Sequence, residues 1–301
     1  MKKALKIIAI IVSALMLIIG SVTLYLFLSV SSTANHMHSP IERGGSDIRP
    51  EQVDFEEEDP LSFLLLGLDA EEVDYGRTDT MIVVTVNPRD ESMKILSIPR
   101  DSHTELVGRG MKDKINHAYY YGGEEMAMDT VEHFLDVPID YVATINMDGF
   151  EELVDAVGGI TVYNNLAFEY ADVNFQRGEL ELNGKEALAY VRMRQDDPMG
   201  DAGRNDRQRQ VIEGVLREGA QISAVASIGS ILDAIGTNVQ TNMEFEEMLD
   251  MQDYEPSRRN IEQLTLKGEH TQIEGVYYYL VDEVEKAKVT NVLREHLELE
   301  D

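Results

Sequence analysis

Met81-Ile82-Val83-Val84-Thr85-Val86-Asn87-Pro88-Arg89-Asp90-Glu91-Ser92-Met93-Lys94-Ile95-Leu96-Ser97-Ile98 is the stretch that decides the fold. Two apolar runs rich in β-branched residues, Met81–Val86 and Met93–Ile98, flank Asn87–Glu91. Asn, Pro and Asp there favour a turn, so the stretch predicts an antiparallel hairpin. Upstream, Ser62–Leu68 is a third run too short for a helix. Downstream the period changes. Helical patterns at Glu124–Leu135 and Gly149–Val157 enclose strand-like Tyr141–Ile145, and Ile160–Tyr163 is a further candidate strand. Gly184–Val191 and Arg204–Gly219 read as helices, the second with Val211, Ile212 and Val215 at core-facing spacing. Weaker helices follow at Val225–Ile235 and Phe245–Gln252, then strands at Gln263–Leu266 and Val276–Leu280 and a helix from about Asp282. Strands interspersed with helices predict an α/β fold: an α/β/α sandwich on a mixed central sheet. Residues 61–301, about 240 in all and without an internal repeat, suit one large domain.

The amino end has a different character. Ile7–Val30 is 24 residues without a charge, enough to cross a hydrocarbon core of about 30 Å at roughly 1.5 Å per residue. Lys2, Lys3 and Lys6 precede it, and Asp54, Glu56, Glu57, Glu58 and Asp59 lie beyond it. The positive-inside rule then gives residues 1–6 as a cytoplasmic tail, 7–30 as a single transmembrane anchor (type II), 31–60 as an acidic extracellular stalk and 61–301 as an extracellular domain. A cleavable signal peptide is the rival reading, with Ser32-Thr33-Ala34 as small residues near a cut, but the run exceeds the usual apolar region of such peptides. The formal net charge is −30, and three of the 26 basic residues but none of the 56 acidic ones precede the run's end. That argues against non-specific nucleic-acid binding. The absence of cysteine excludes disulfides, thiol catalysis and thiolate metal sites.

In so acidic a chain, five arginines fall within eighteen residues: Arg192, Arg194, Arg204, Arg207 and Arg209. Guanidinium groups match phosphate oxygens bidentately and stay charged, so the cluster points to a phosphate or pyrophosphate. Three further clusters sit at predicted strand ends: Leu66-Gly67-Leu68-Asp69, Gly76-Arg77-Thr78-Asp79-Thr80 and Ser97-Ile98-Pro99-Arg100-Asp101. Binding groups of α/β sheets gather at such places. Singly, each has a plainer reading. Asp69 could cap a turn, Arg77 and Asp79 could be a surface ion pair, and Arg192 and Arg194 could pair with Asp196 and Asp197 across an extended segment. Arg209 could face solvent. The runs Tyr119–Tyr121 and Tyr277–Tyr279 could stack on sugars or alternate between core and surface.

Together the clusters form a recognisable order. LLLGLD (64–69), GRTDTMIVVTVNP (76–88), ILSIPRDS (95–102), DKINHAYYYGG (113–123), IDYVATINMDGFEELVDAVGGITV (139–162) and LNGKEALAYVRMRQDDPMGDAGRNDRQRQVI (182–212) make the chain resemble the LytR-CpsA-Psr family of envelope-anchored glycopolymer transferases. The resemblance implies an α/β/α fold that binds a polyprenyl-pyrophosphate-linked glycopolymer, its lipid tail in an apolar cavity, and transfers the polymer to peptidoglycan at the membrane of a Gram-positive envelope. It implies pyrophosphate contacts from Arg100, Arg192, Arg194, Arg204, Arg207 and Gln208, and a catalytic set of Arg77, Arg100 and Asp101. It also implies that Asp69 and Asp79 hold Mg2+, with Mn2+ as the alternative. The glycopolymer is expected to be wall teichoic acid. Two other readings stay open: a pyrophosphatase acting on lipid-linked precursors, and a non-catalytic membrane regulator. A tail of six residues leaves no room for a DNA-binding module. Residues 220–301 carry no recognised motif.

Overall fold

β1 (Leu61–Leu68) lies antiparallel to β2 (Thr78–Asn87), which turns at Asn87 into β3 (Ser92–Ser97). The turn is closed by the Asp90 amide, which donates to Asn87 Oδ1 at 3.0 Å. The structure, a computed structural model, describes residues 24–25, 27–41, 43, 45–69, 76–194, 197–219, 234, 236 and 238–299. The small hairpin β4 (His103–Leu106) and β5 (Met111–Lys114) leads into α1 (His117–Leu135), β6 (Tyr141–Ile145) and α2 (Met147–Ala156). β7 (Ile160–Asn164), β8 (Phe168–Tyr170), β9 (Val173–Phe175) and β10 (Gly178–Leu182) form two short ribbons before α3 (Gly184–Arg192) and α4 (Asp201–Gly219). β11 (Val239–Thr241), α5 (Phe245–Asp250), a 3-10 helix (Met251–Arg259), β12 (Ile261–Thr265), the hairpin β13 (Gly268–Ile273) and β14 (Val276–Val281), and α6 (Glu283–His296) complete the chain.

The central sheet runs β11-β6-β1-β2-β3-β12. β1 with β6 and β3 with β12 are parallel and the rest antiparallel, so the sheet is mixed as expected. Leu64, Leu66, Val83 and Leu96 bury one face against Val131 and Leu135 of α1 and Leu293 of α6. On the other face, Ile82, Val84 and Ile95 pack with Tyr141 and with Tyr254 of the 3-10 helix. A third cluster joins β7 to β10 with α2, α3 and α4 through Ile160, Phe175, Leu182, Tyr190 and Val211.

Several expectations change. Within the expected stalk, the described residues of 38–60 are strapped to the body. The Ser39 amide donates to Thr241 O at 2.8 Å, Arg43 pairs with Glu132 and with Asp129 at 3.0 Å, and Arg49 pairs with Asp140 at 3.1 Å. The two arginines in this acidic segment find buried or half-buried carboxylates on the domain, a tertiary match that no local pattern announces. The expected anchor falls mostly on residues 7–23 and 26, and the helix at Val225–Ile235 mostly on 220–233, outside those described. Among the described residues no helix is long and apolar enough to cross a membrane. Residues after 219 supply both outer strands of the sheet and α6.

Candidate functional site

A cavity of about 740 Å³ separates the second face of the sheet from the layer of α2, α3 and α4. Its floor is Leu65, Gly67, Ile82 and Ala143, and its roof is Phe150, Leu153, Leu188, Val211 and Val215. Small residues on the floor make the room: a Cβ on Gly67 would come to 3.0 Å from Thr80 Cβ. β1 shows the effect in its burial, with Leu64, Leu66 and Leu68 buried and Phe63, Leu65 and Gly67 only half-buried. At one end the lining turns polar, with Asp79, Thr80, Arg100, Arg192, Arg194, Arg204 and Gln208.

Local structure brings these groups to the mouth. β1 and β2 pair Gly67 with Thr80 and Leu68 with Thr78, so Asp79 is an extra residue in a β-bulge. Strict alternation would put Asp79 and Thr80 on opposite faces; the bulge re-aims the side chain and both line the cavity. Arg100, just past β3, pairs with Asp79 and lies 3.9 Å from Asp101 Oδ2. α3 begins at a capping box, with the Glu186 amide donating to Asn183 Oδ1 and the Asn183 amide to Glu186 Oε2, each at 3.0 Å. It ends at Arg192, whose charge favours the helix C-terminus and whose Nη2 donates to Asp69 Oδ1 at 3.1 Å. Arg204 enters from the first turns of α4, 5% exposed, and Gln208, one turn on, donates to Thr80 Oγ1 at 2.7 Å.

Not every expected residue reaches the mouth. Arg207 is 4% exposed and turned behind the wall, where Nε donates to Tyr190 O at 3.0 Å, Nη2 to Met193 O, and Nη1 pairs with Asp197 at 2.6 Å. It braces the segment between α3 and α4 and does not line the cavity, unlike the other arginines expected to contact pyrophosphate. Gly203 lets Asp197 in, because a Cβ there would collide with that carboxylate. Arg209 is buried rather than solvent-facing, with Nε donating to Gln263 at 3.0 Å. Arg77 is exposed and offers its backbone oxygen to the Asp69 amide at 3.1 Å. Asp101 accepts from Lys114 at 2.6 Å. Arg77, Asp69 and Asp101 thus stand outside the cavity lining. Thr80 and Lys114 were not singled out from the sequence, although both lie inside quoted motifs. Tyr190 is fully buried between Phe168 and Phe175, and burial pushes its hydroxyl up to about 12, so it is no base at neutral pH.

Chemically, an apolar cavity with a guanidinium-lined mouth accommodates an amphiphile: a hydrocarbon tail inside and a compact anion at the opening. Asp69 and Asp79, at neighbouring strand ends and each held by an arginine, fit a hard cation that takes few protein oxygens and completes its shell with phosphate oxygens and water. Among the described residues no group of three or more acids or histidines could form an all-protein cage.

A mixed-sheet α/β protein with this mouth and cavity belongs to a defined class. The chain is a member of the LytR_cpsA_psr family, which it matches over residues 24–295. The polyisoprenyl-teichoic acid–peptidoglycan teichoic acid transferase TagU of Halalkalibacterium halodurans is 49% identical over 303 residues, covering 99% of this chain and 100% of that protein. The crystal structure of Bacillus subtilis TagU superposes with a TM-score of 0.65 at 46% identity, covering 81% of this chain and 98% of that one. TagT bound to LI-WTA superposes with a TM-score of 0.74 at 30% identity, covering 87% and 100%.

Proposed function

We propose that this chain is a membrane-anchored phosphotransferase that moves wall teichoic acid from a polyprenyl-pyrophosphate carrier to a peptidoglycan sugar hydroxyl, outside the cell. The observation that carries the reading is the arginine-lined mouth on an apolar cavity of about 740 Å³. The family membership and the transferase relatives point the same way. Leu24, Tyr25, Phe27 and Leu28 are more than half exposed at the start of the described chain, which suits residues leaving an anchor at the membrane surface.

In this mechanism the prenyl tail lies between Leu65, Ile82 and Val215, and the pyrophosphate is gripped by Arg100, Arg192, Arg194 and Arg204. An acceptor hydroxyl, the 6-hydroxyl of N-acetylmuramic acid, attacks the phosphorus nearer the polymer. A new P–O bond forms, the bridging P–O bond breaks, and polyprenyl phosphate leaves while the hydroxyl proton passes to solvent or to the departing phosphate. The arginines stabilise charge that grows on the bridging and leaving oxygens, and positioning outweighs the need for a strong base. Mg2+ or Mn2+ held by Asp69 and Asp79 would neutralise further charge on the same oxygens. Arg100, paired with Asp79, fixes that carboxylate at the mouth.

The test incubates the full chain in detergent with a polyprenyl-pyrophosphate-linked saccharide, Mg2+ and peptidoglycan oligomers, and seeks a phosphodiester-linked conjugate by mass spectrometry. Wild type should make it, and Arg192→Ala should make it about 100-fold more slowly or worse. Free saccharide phosphate without conjugate would replace transfer by hydrolysis. A fully active Arg192→Ala would remove the proposed pyrophosphate grip.

A further inference from the structure

Beside the mouth lies a surface strip that the transfer step as described does not use. Three tyrosines are exposed on it: Tyr120 at 61%, Tyr121 at 38% and Tyr277 at 41%. They come from two elements far apart in sequence, the start of α1 and the β13–β14 hairpin. Singly exposed aromatic residues need no explanation, but these join through a continuous set of contacts. The Arg109 guanidinium lies 4.1 Å over the Tyr121 ring, and His117 meets the same ring edge-on at 6.3 Å. His117 Nδ1 is 2.7 Å from Asp113 Oδ2, and Tyr278 OH donates to Asp113 Oδ1 at 3.3 Å. Lys114 Nζ sits 5.8 Å from the centre of Tyr277 and binds Asp101, which neighbours Arg100 at the cavity mouth.

Two features show that the strip is held outward. α1 breaks at Gly122 and Gly123, the latter at φ 63 and ψ −152, a conformation open essentially to glycine alone. The break detaches the turn carrying Tyr120 and Tyr121 from the buried part of the helix, which begins again at Ala127. The β13–β14 hairpin contributes only half-buried and exposed residues, and is fixed to the mouth by its backbone, the Tyr279 amide donating to Asp101 O at 2.9 Å.

We propose that this strip, Tyr120–Tyr121–Asp113–Tyr277, is the docking site for the acceptor, a β-1,4-linked N-acetylhexosamine strand bearing carboxylates. The proposal rests on the transferase reading above. Arg109 covers one face of Tyr121, and Tyr277 stacks on His270 at 5.3 Å. Tyr120 and the exposed remainder of those two rings therefore offer flat, rigid surfaces for the C–H faces of pyranose rings, and the adjoining Asp113, His117 and Lys114 offer partners for hydroxyl, acetamido and carboxylate groups. Charge separates this occupant from the donor polymer. A polyphosphate chain calls for a row of cations, whereas the strip mixes Arg109 and Lys114 with Asp101 and Asp113 between aromatic rings. That mixture suits a largely neutral sugar strand with scattered carboxylates. The strand would run along the strip and end with a hydroxyl beside Asp101, next to Arg100.

The experiment is calorimetric titration of the full chain in detergent with three probes: an N-acetylglucosamine–N-acetylmuramic acid tetrasaccharide, geranylgeranyl pyrophosphate, and an oligomer of glycerol phosphate. The double variant Tyr121→Ala/Tyr277→Ala should bind the tetrasaccharide about tenfold more weakly. It should hold geranylgeranyl pyrophosphate as wild type does, and Tyr121→Phe/Tyr277→Phe should keep tetrasaccharide affinity within about twofold. Tyr120→Ala, at the most exposed of the positions, repeats the test where folding is least engaged. Unchanged tetrasaccharide affinity in these alanine variants overturns the proposal, as does selective loss of the glycerol phosphate oligomer. Arg192→Ala/Arg204→Ala separates the two readings. If it binds geranylgeranyl pyrophosphate normally, the donor site is wrong while the tyrosine result still decides the strip.

Discussion

Arg204 and Arg207 stand one turn apart on α4, both about 5% exposed or less, and do different things. Arg204 lines the cavity mouth, while Arg207 is captured by Asp197 and two backbone carbonyls behind it. Residue type and spacing made both look like pyrophosphate ligands; the difference is set by a carboxylate that reaches in over Gly203. Arg207→Ala would leave Asp197, itself 5% exposed, without its charge partner. It should cost about 3–5 kcal/mol, read as a lowered urea midpoint, with Asp197→Asn in the same chain recovering part of the loss. Arg192 contrasts with it. Its pair with Asp69 is nearly half exposed, so Arg192→Ala should cost no more than about 1 kcal/mol of stability, read from the same urea unfolding, while abolishing most transfer.

At the scale of elements, the strands and helices that carry the site were legible where local chemistry and periodicity agreed. β6 lies where its apolar run predicted, and α3 follows a capping box written in Asn183 and Glu186. β14 lies where Val276–Leu280 predicted it, but its partner β13 and the ribbon β8–β9 were hidden because mostly exposed strands show little apolar contrast. The kink in α1 was also missed, although two adjacent glycines marked it. Gly123→Ala should cost about 1–3 kcal/mol because alanine resists that backbone conformation, and calorimetry would show the fall in melting temperature. The cavity itself is a product of layer spacing. Val215→Trp should fill it from α4, weakening geranylgeranyl pyrophosphate about tenfold or more and leaving inorganic pyrophosphate binding intact, as titration of both would show.

For the whole molecule, the segments without recognised motifs close the structure. β12 extends the sheet beside β3, and α6 covers its first face. His296 at the end of α6 is 5% exposed, between Thr85 Oγ1 at 2.7 Å and Ser92 Oγ at 2.9 Å. Burial, with Lys94 nearby, pushes the imidazole from its ordinary 6.5 down to about 4. The unfolded chain therefore binds the proton first on acidification, and this contribution is whole above about pH 6.5 and is lost as pH falls towards 4. The loss should be on the order of 3 kcal/mol. Urea midpoints measured from pH 7 to pH 4 should fall less steeply in His296→Gln than in wild type, the difference isolating this residue from the many carboxylates.

The alternation of strand and helix, the β2–β3 hairpin within the sheet, and the concentration of arginine that marks an anion site were all written along the chain. These are properties of neighbours along the chain: period, turn chemistry and charge density. Which arginines face the mouth, the strapping of residues 38–60 to the body, and the under-filled apolar face of the sheet emerge only when distant segments pack together. A run such as Leu64-Leu65-Leu66 is apolar on both faces, so its pattern cannot show which face meets a packed helix and which a cavity. That depends on the distance between layers, set by side chains far apart in sequence, and the bulge at Asp79 likewise exists only where two strands pair.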